Sequence, residues 1–274
     1  MHREFAAAVA GRDVDVDLYG GAMAIARIGH PSLDIHHYSA LLDRLAEEVS
    51  DVTGDTLDPE ALAHGIDHVL FAVRGFRGNE ADYADPQNSY LNVVIDRRAG
   101  IPITLSLVYM EVAARVGLRC EGVGYPGHFI VRCGRPEDGF FVDPFHQGDR
   151  LDRGELLARL RSVELAGASP ESLLLAITRR QVLQRMLNNL RRAFRSRQEI
   201  AQWLTAVELQ LILEPWNAPL TGERGMLNFR LGRYEEAERD LERYVQSSGR
   251  EAAHSGASRM LDRIRTQQRR GEEV

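Results

Sequence analysis

A chain of 274 residues, 44% hydrophobic and 27% charged, has the composition of a globular protein with room for one large or two modest cores. A formal net charge of −6 argues against a broad nucleic-acid-binding surface, and because every basic residue is Arg, Schiff-base chemistry, a pyridoxal-phosphate anchor and a P-loop are excluded. Two cysteines cannot build a disulfide framework or a four-thiolate zinc site.

The opening MHREFAAAVAGRDVDVDLYG is apolar only briefly and soon acidic, unlike a signal peptide, and points to a cytoplasmic protein. Leu18 to Ile28 reads as a small-residue helix stopped near Gly29-His30-Pro31. Ser32-Leu33-Asp34 opens a second, with Tyr38, Leu41, Leu42, Leu45 and Val49 at helical spacing. Asp58-Pro59-Glu60 begins a third, running through Ile66, Val69, Leu70 and Phe71 before Gly75. His64 and His68 stand four apart on it, a spacing that zinc enzymes use. With no third ligand and no general-base Glu between them, no metal site is assigned. His36 and His37 are neighbours and point apart on a helix.

From Gly75 to Asn92 the chain places Phe76, Tyr83, Pro86 and Tyr90 among Gly, Asn and Asp, too aromatic for a disordered linker. Asn88 or Asn92 can serve as an amide donor to a reacting carbonyl. The simpler reading is a capped turn that presents the next helix.

The stretch from Asn88 to Asp143 organises the rest. Gly100 ends one segment, and Pro102 suits a first helical position because its missing N–H has no intrahelical partner there. From Ile103 to Val116 the run is apolar on nearly all sides, which predicts a buried helix stopped by Gly117. No run in the chain reaches the roughly 18 apolar residues of a membrane span. Arg119 to Tyr125 and His128 to Cys133 read as short strands around Pro126-Gly127, and Phe140 to Asp143 as a third. If the last two pair antiparallel with His128 or Ile130 opposite Asp143, His128 and Asp143 share a face; a one-residue slip separates them. An imidazole held by a carboxylate beside a buried helix N-terminus is the frame of a nucleophilic hydrolase or acyl transferase.

Beyond Asp143 the pattern is all-helical. Asp152 to Leu160 is a short helix, and Gly167-Ala168-Ser169-Pro170 is the best boundary. Ser172 to Arg195 runs apolar at Leu175, Ile177, Val182, Leu183, Met186, Leu187 and Leu190, with six Arg between Arg179 and Arg195 read as a solvated face. Glu199 to Leu213 is a further amphipathic helix closed by Glu214-Pro215. Residues 225–244 resemble half of a tetratricopeptide repeat pair, with Leu231-Gly232-x-Tyr234, then Ala237, Leu241 and Tyr244; two to three degenerate repeats fit between about 170 and 265.

Several motifs together carry a wider resemblance: Gly75-Phe76-x-Gly78-Asn79, Asn88-Ser89-Tyr90-Leu91-Asn92, Gly100-Ile101-Pro102-Ile103-Thr104-Leu105-Ser106, Pro126-Gly127-His128-Phe129 and Asp143-Pro144-Phe145. The chain resembles the transglutaminase-like (papain-like) superfamily, and within it the bacterial SirB-type family, which joins such a domain to a tetratricopeptide-like tail. The resemblance implies an α+β transglutaminase-like core with N-terminal helices, followed by an all-α tetratricopeptide-like domain. It assigns 1–168 to the first domain (N-terminal helices 1–75, core 88–148) and 169–274 to the second.

By the same resemblance His128 and Asp143 take the superfamily's His and Asp positions, and the segment holding Asn88, Tyr90 and Asn92 lines the substrate groove. The nucleophile position falls near Pro102 to Thr104, where no Cys stands, and Cys120 and Cys133 lie on strand segments. A thiolate at a helix N-terminus attacks well, whereas a hydroxyl there is weak unless a base removes its proton. The reading is therefore a non-catalytic protein that binds a protein or peptide partner through its helical tail or vestigial cleft, without cofactor, nucleic acid or membrane. The alternative is a hydrolase or acyl transferase using Thr104 or Ser106 with His128 and Asp143.

Overall fold

The computed structural model describes residues 1–161, 168–248 and 256–272. They pack as two compact units, Arg3–Met186 and Leu187–Val274. The boundary stretch at 167–170 lies partly outside the described residues, Gly167 among them.

The first unit opens with α1 (His2–Ala8), α2 (Leu18–Ala26), α3 (Ile35–Thr53) and α4 (Pro59–Asp67). A carboxylate starts each of the last three. Asp17 accepts from Gly20 N, Asp34 from His36 N and His37 N, and Asp58 from Ala61 N, satisfying amides that have no intrahelical partner. The third helix does not run on as regular α-helix to Phe71. It ends at Asp67 and widens into a π turn over His68–Val73, which keeps the successive apolar residues Val69, Leu70 and Phe71 buried.

Two short parallel strands, β1 (Arg77–Gly78) and β2 (Ala99–Gly100), flank α5 (Leu91–Arg97) and deliver the chain to α6 (Pro102–Arg115). Pro102 stands at the first turn of α6, and Gly117 at φ +81° follows its end. Ile103, Leu105, Leu107, Val108, Met110, Val112 and Ala113 are all buried, so α6 is the internal helix that its composition predicts.

An antiparallel sheet follows in sequence order, β3 (Cys120–Val123), β4 (Ile130–Cys133), β5 (Phe140–Asp143) and β6 (Asp149–Leu151). α6 lies against β3 and β4. α7 (Arg153–Arg161) adds Leu156, Leu157 and Leu160 to a core with Val123, Ile130, Phe141 and Leu174. The register pairs Val131 with Val142, and one further step sets Ile130 opposite Asp143. The strand β6 is too short and polar (Asp149-Arg150-Leu151) to carry a period-2 signal, and the sequence reading missed it.

The helix predicted from Ser172 also differs. Ser172–Leu174 is a single 3-10 turn, and Leu175–Thr178 runs extended beside β3, where Ile177 N donates to Gly122 O at 2.9 Å and Ala176 bridges Val123. The edge of the sheet is thereby covered. Thr178 and Gln181 then cap each other reciprocally, Gln181 N to Thr178 Oγ1 and Thr178 N to Gln181 Oε1, and start α8 (Arg179–Arg197).

The second unit contains α9 (Ile200–Leu213), α10 (Ala218–Arg230), α11 (Tyr234–Ser248) and α12 (Ala257–Glu272). α10 and α11 form a helical hairpin around Gly232 at φ +74°. Small residues let them approach: a Cβ on Gly222 would lie 2.7 Å from the Tyr244 ring, and one on Gly225 2.9 Å from Leu241. Ala237, Leu241 and Tyr244 pack with Ala257, Leu261 and Ile264 into the core of this unit. No helix among the described residues is long and apolar enough to cross a membrane.

Candidate functional site

His128 sits at the end of the turn that Pro126 and Gly127 make before β4, with Gly127 at φ +72° and His128 N donating to Tyr125 O at 2.9 Å. The turn is held by a side chain from α8. Arg185 Nη2 donates to His128 O at 2.9 Å, its Nη1 donates to Gly124 O at 3.3 Å, and the guanidinium lies over the Phe129 ring. Arg179 and Arg180 are also engaged: they donate to the Val16 and Gly11 carbonyls at 2.7 and 2.6 Å. The start of α8 is thus not the solvated Arg face expected from its charge pattern.

Asp143 ends β5 and is 4% exposed. Pro144 turns the chain into a short 3-10 helix, Pro144–His146, whose first amides it caps: Asp143 Oδ1 accepts from Phe145 N at 3.0 Å and from His146 N at 3.4 Å. The other oxygen, Oδ2, accepts from His128 Nε2 at 2.7 Å and from His146 Nδ1 at 2.8 Å. Burial pushes this carboxyl up, but the hydrogen bonds from His128 and His146 outweigh it and hold the group below the usual carboxylate range. The Phe145 ring stands edge-on to His128 and to Tyr83. It also covers Gly78, where a Cβ would come within 2.6 Å of the ring.

The structure therefore brings His128 and Asp143 together, an arrangement that can orient a base. It does not bring either hydroxyl to that base. Thr104 is fully buried; its Oγ1 accepts from Ile101 N at 3.2 Å and lies 2.8 Å from Asn88 O, which accepts its proton. Ser106 is also fully buried, and its Oγ has no hydrogen-bond partner, so it does not satisfy a backbone group as Thr104 does. No hydrogen bond joins His128 to Thr104 or to Ser106.

Cys120 and Cys133 face each other across β3 and β4, and burial pushes the Cys120 thiol upward, away from thiolate. Asn88 accepts from Asn79 Nδ2 at 2.9 Å and donates to Asp82 O at 2.7 Å, so its amide fixes the loop. Tyr90 is buried beside His30 and Gly29 at the start of α5, and the Oδ1 of buried Asn92 has no partner.

His146 is the residue that sequence reasoning missed. Its signal was present: three residues after Asp143 and two after Pro144, it occupies the turn that an Asp-Pro pair starts and that folds back onto the carboxylate. The ligand atoms of His128, Asp143 and His146 lie within 4.8 Å of one another.

Residues 36–188 match the transglutaminase-like superfamily, and residues 190–269 match the tetratricopeptide repeat. A UPF0162 protein of Xylella fastidiosa (strain Temecula1) is 36% identical over 241 residues, covering 85% of each chain. A UPF0162 protein of Vibrio cholerae is 22% identical over 234 residues, 84% of this chain and 86% of its own. F-box only protein 21 of Mus musculus is 35% identical over 128 residues, 46% of this chain and 20% of its own. No solved structure matches the chain.

Proposed function

Because this chain belongs to the transglutaminase-like superfamily yet carries Pro102, Ile103 and Thr104 where a nucleophile would head the central helix, we propose that it is a non-catalytic protein- or peptide-binding protein. Within the superfamily the motif set supports the SirB-type branch, and the reading takes the protein as cytoplasmic. The observation that carries the reading is the Thr104 hydroxyl. It is fully buried and already bonded to Ile101 and Asn88, so the His128–Asp143 pair has no nucleophile to activate.

The helical tail supports a binding role. Tetratricopeptide repeats generally mediate protein–protein interaction, and this unit offers surface suited to it. A groove of about 500 Å³ is lined by Arg224, Arg233, Arg239 and Arg243 beside Glu236 and Asp240. An adjoining one of about 360 Å³ shares Arg224 and Arg243 and adds Trp216, which is 80% exposed. Arg224 is already held by Asp240 at 2.7 Å, so Arg243, shared by both grooves, beside the exposed indole is what suits a peptide with a carboxylate and an apolar anchor.

The test is turnover. A panel of peptide, ester and glutamine-amide substrates gives no rate above background with the wild-type protein. A reproducible rate lost in both His128→Ala and Thr104→Ala would overturn the reading in favour of an acyl-transfer enzyme.

A further inference from the structure

Two imidazoles converge on one carboxylate oxygen, which is more than the orientation of a single base requires. His128 Nε2 and His146 Nδ1 stand 2.7 and 2.8 Å from the same Asp143 Oδ2. We propose that His128 Nε2, Asp143 Oδ2 and His146 Nδ1 form a binding site for one divalent transition-metal ion of the Zn²⁺ type.

The donor set fits that class of ion. Two imidazole nitrogens and a carboxylate oxygen suit Zn²⁺ and its late first-row neighbours, whereas Mg²⁺ and Ca²⁺ favour oxygen ligands. The carboxylate is prepared for the task. Its Oδ1 is taken up by the Phe145 and His146 amides, its side chain is 5% exposed, and Oδ2 is the atom left to offer. Such outer hydrogen bonds fix the orientation of a metal ligand.

The size also fits. Zn–N and Zn–O distances of about 2.0–2.2 Å at tetrahedral angles put ligand atoms about 3.3 Å apart. The two nitrogen–oxygen separations therefore need to open by only about half an ångström around the ion, and the two nitrogens already lie within 4.8 Å of each other. His146 can supply that movement, since its side chain is 53% exposed and stands on a short turn rather than in the sheet. The ion takes the place of the ring protons now directed at Oδ2. Each imidazole then binds in its neutral form with its proton on the far nitrogen, and any displaced proton leaves to solvent. Three protein ligands leave a fourth position for water or for a donor group of a bound peptide. The site does not depend on the interaction reading of the tail.

Metal-stripped full-length protein tests this by Zn²⁺ titration against a competing chromophoric chelator, and by Co²⁺ titration followed through visible absorption. The expected result is one tightly bound ion per chain, with Co²⁺ bands of nitrogen and oxygen ligation and a Tm raised by Zn²⁺. His128→Ala and His146→Ala each weaken binding by at least about tenfold. Cys120→Ser/Cys133→Ser and His64→Ala/His68→Ala bind as the wild type does. His146→Gln, at an exposed position, keeps the test readable should His128→Ala fail to fold. Absence of stoichiometric binding in the wild type, unchanged binding in both His146 variants, or loss of binding in the double Cys variant would each overturn the proposal.

Discussion

The Thr104 hydroxyl joins Ile101 N to Asn88 O, so removing it strands two backbone groups inside the first unit. Thr104→Val is expected to cost about 1–3 kcal/mol, the penalty of leaving such groups unpaired, and Thr104→Ser distinctly less. Urea unfolding of the two variants reads this, and equal midpoints would contradict the capping role. Asp67 gives a second residue-scale prediction. Burial pushes its carboxyl up to about 6 from the ordinary 3.8, and the Arg150 guanidinium 2.8 Å away only partly offsets it. The folded state thus holds the Asp67 proton more tightly than the unfolded chain. This contribution to stability is fully present below about pH 4 and is lost as pH rises through about 6. Asp67→Asn should flatten that loss between pH 4.5 and 7.5, and an identical pH dependence in the variant would contradict it. At this scale the sequence was legible in part. His128 and Asp143 could be paired only for certain registers of the two strands, and the register that sets Ile130 opposite Asp143 is one of them. His146 was overlooked although the Asp-Pro turn marks it locally, whereas Arg185 and Asp67 act through space, and nothing in local spacing marks those two.

The turn carrying His128 depends on α8, an element more than fifty residues away in the chain, through Arg185. Arg185→Ala removes the hydrogen bond to His128 O and the stacking on Phe129, at a cost of about 1.5–3 kcal/mol for a charged hydrogen bond. Arg185→Lys should not restore it, because an ammonium lacks the planar fork that reaches Gly124 and His128 together. Faster amide exchange at Gly127–Phe129 in both variants would confirm the brace, and exchange unchanged in either would contradict it. In the tail, Ala237 is fully buried within the core of α11 and α12, so Ala237→Leu overpacks it by about 1–3 kcal/mol. A tail Tm unchanged in that variant would refute the close packing. The legible elements are those with a long apolar run and a local start or stop signal, such as α3 with its Asp34 cap and α6 between Pro102 and Gly117. The extended Leu175–Thr178 segment was not, because its apolar residues also fit a helical pattern and only the open edge of β3 draws them into the sheet.

The whole chain joins a transglutaminase-like domain to a tetratricopeptide region, and that order was readable because the principal helices and the strands β3 to β5 carry their own start and stop residues. The sequence does not name the partner, since groove shape comes from helices packed side by side. If the tail grooves hold an acidic peptide, Arg243→Glu and Trp216→Ala should each weaken binding of a labelled Asp/Glu-rich peptide with an aromatic residue at least about tenfold, while His128→Ala leaves it unchanged. Equal affinity in all four proteins would remove the tail from the account. The central claim concerns the His128–Asp143 pair, to which no hydroxyl or thiol is hydrogen-bonded among the described residues. Its most direct measurement is peptide-mapped mass spectrometry after exposure of the folded protein to a fluorophosphonate, which labels activated serine and threonine. The account predicts no adduct at Thr104 or Ser106 beyond that found in His128→Ala. A stoichiometric adduct at either residue that disappears in His128→Ala would contradict it.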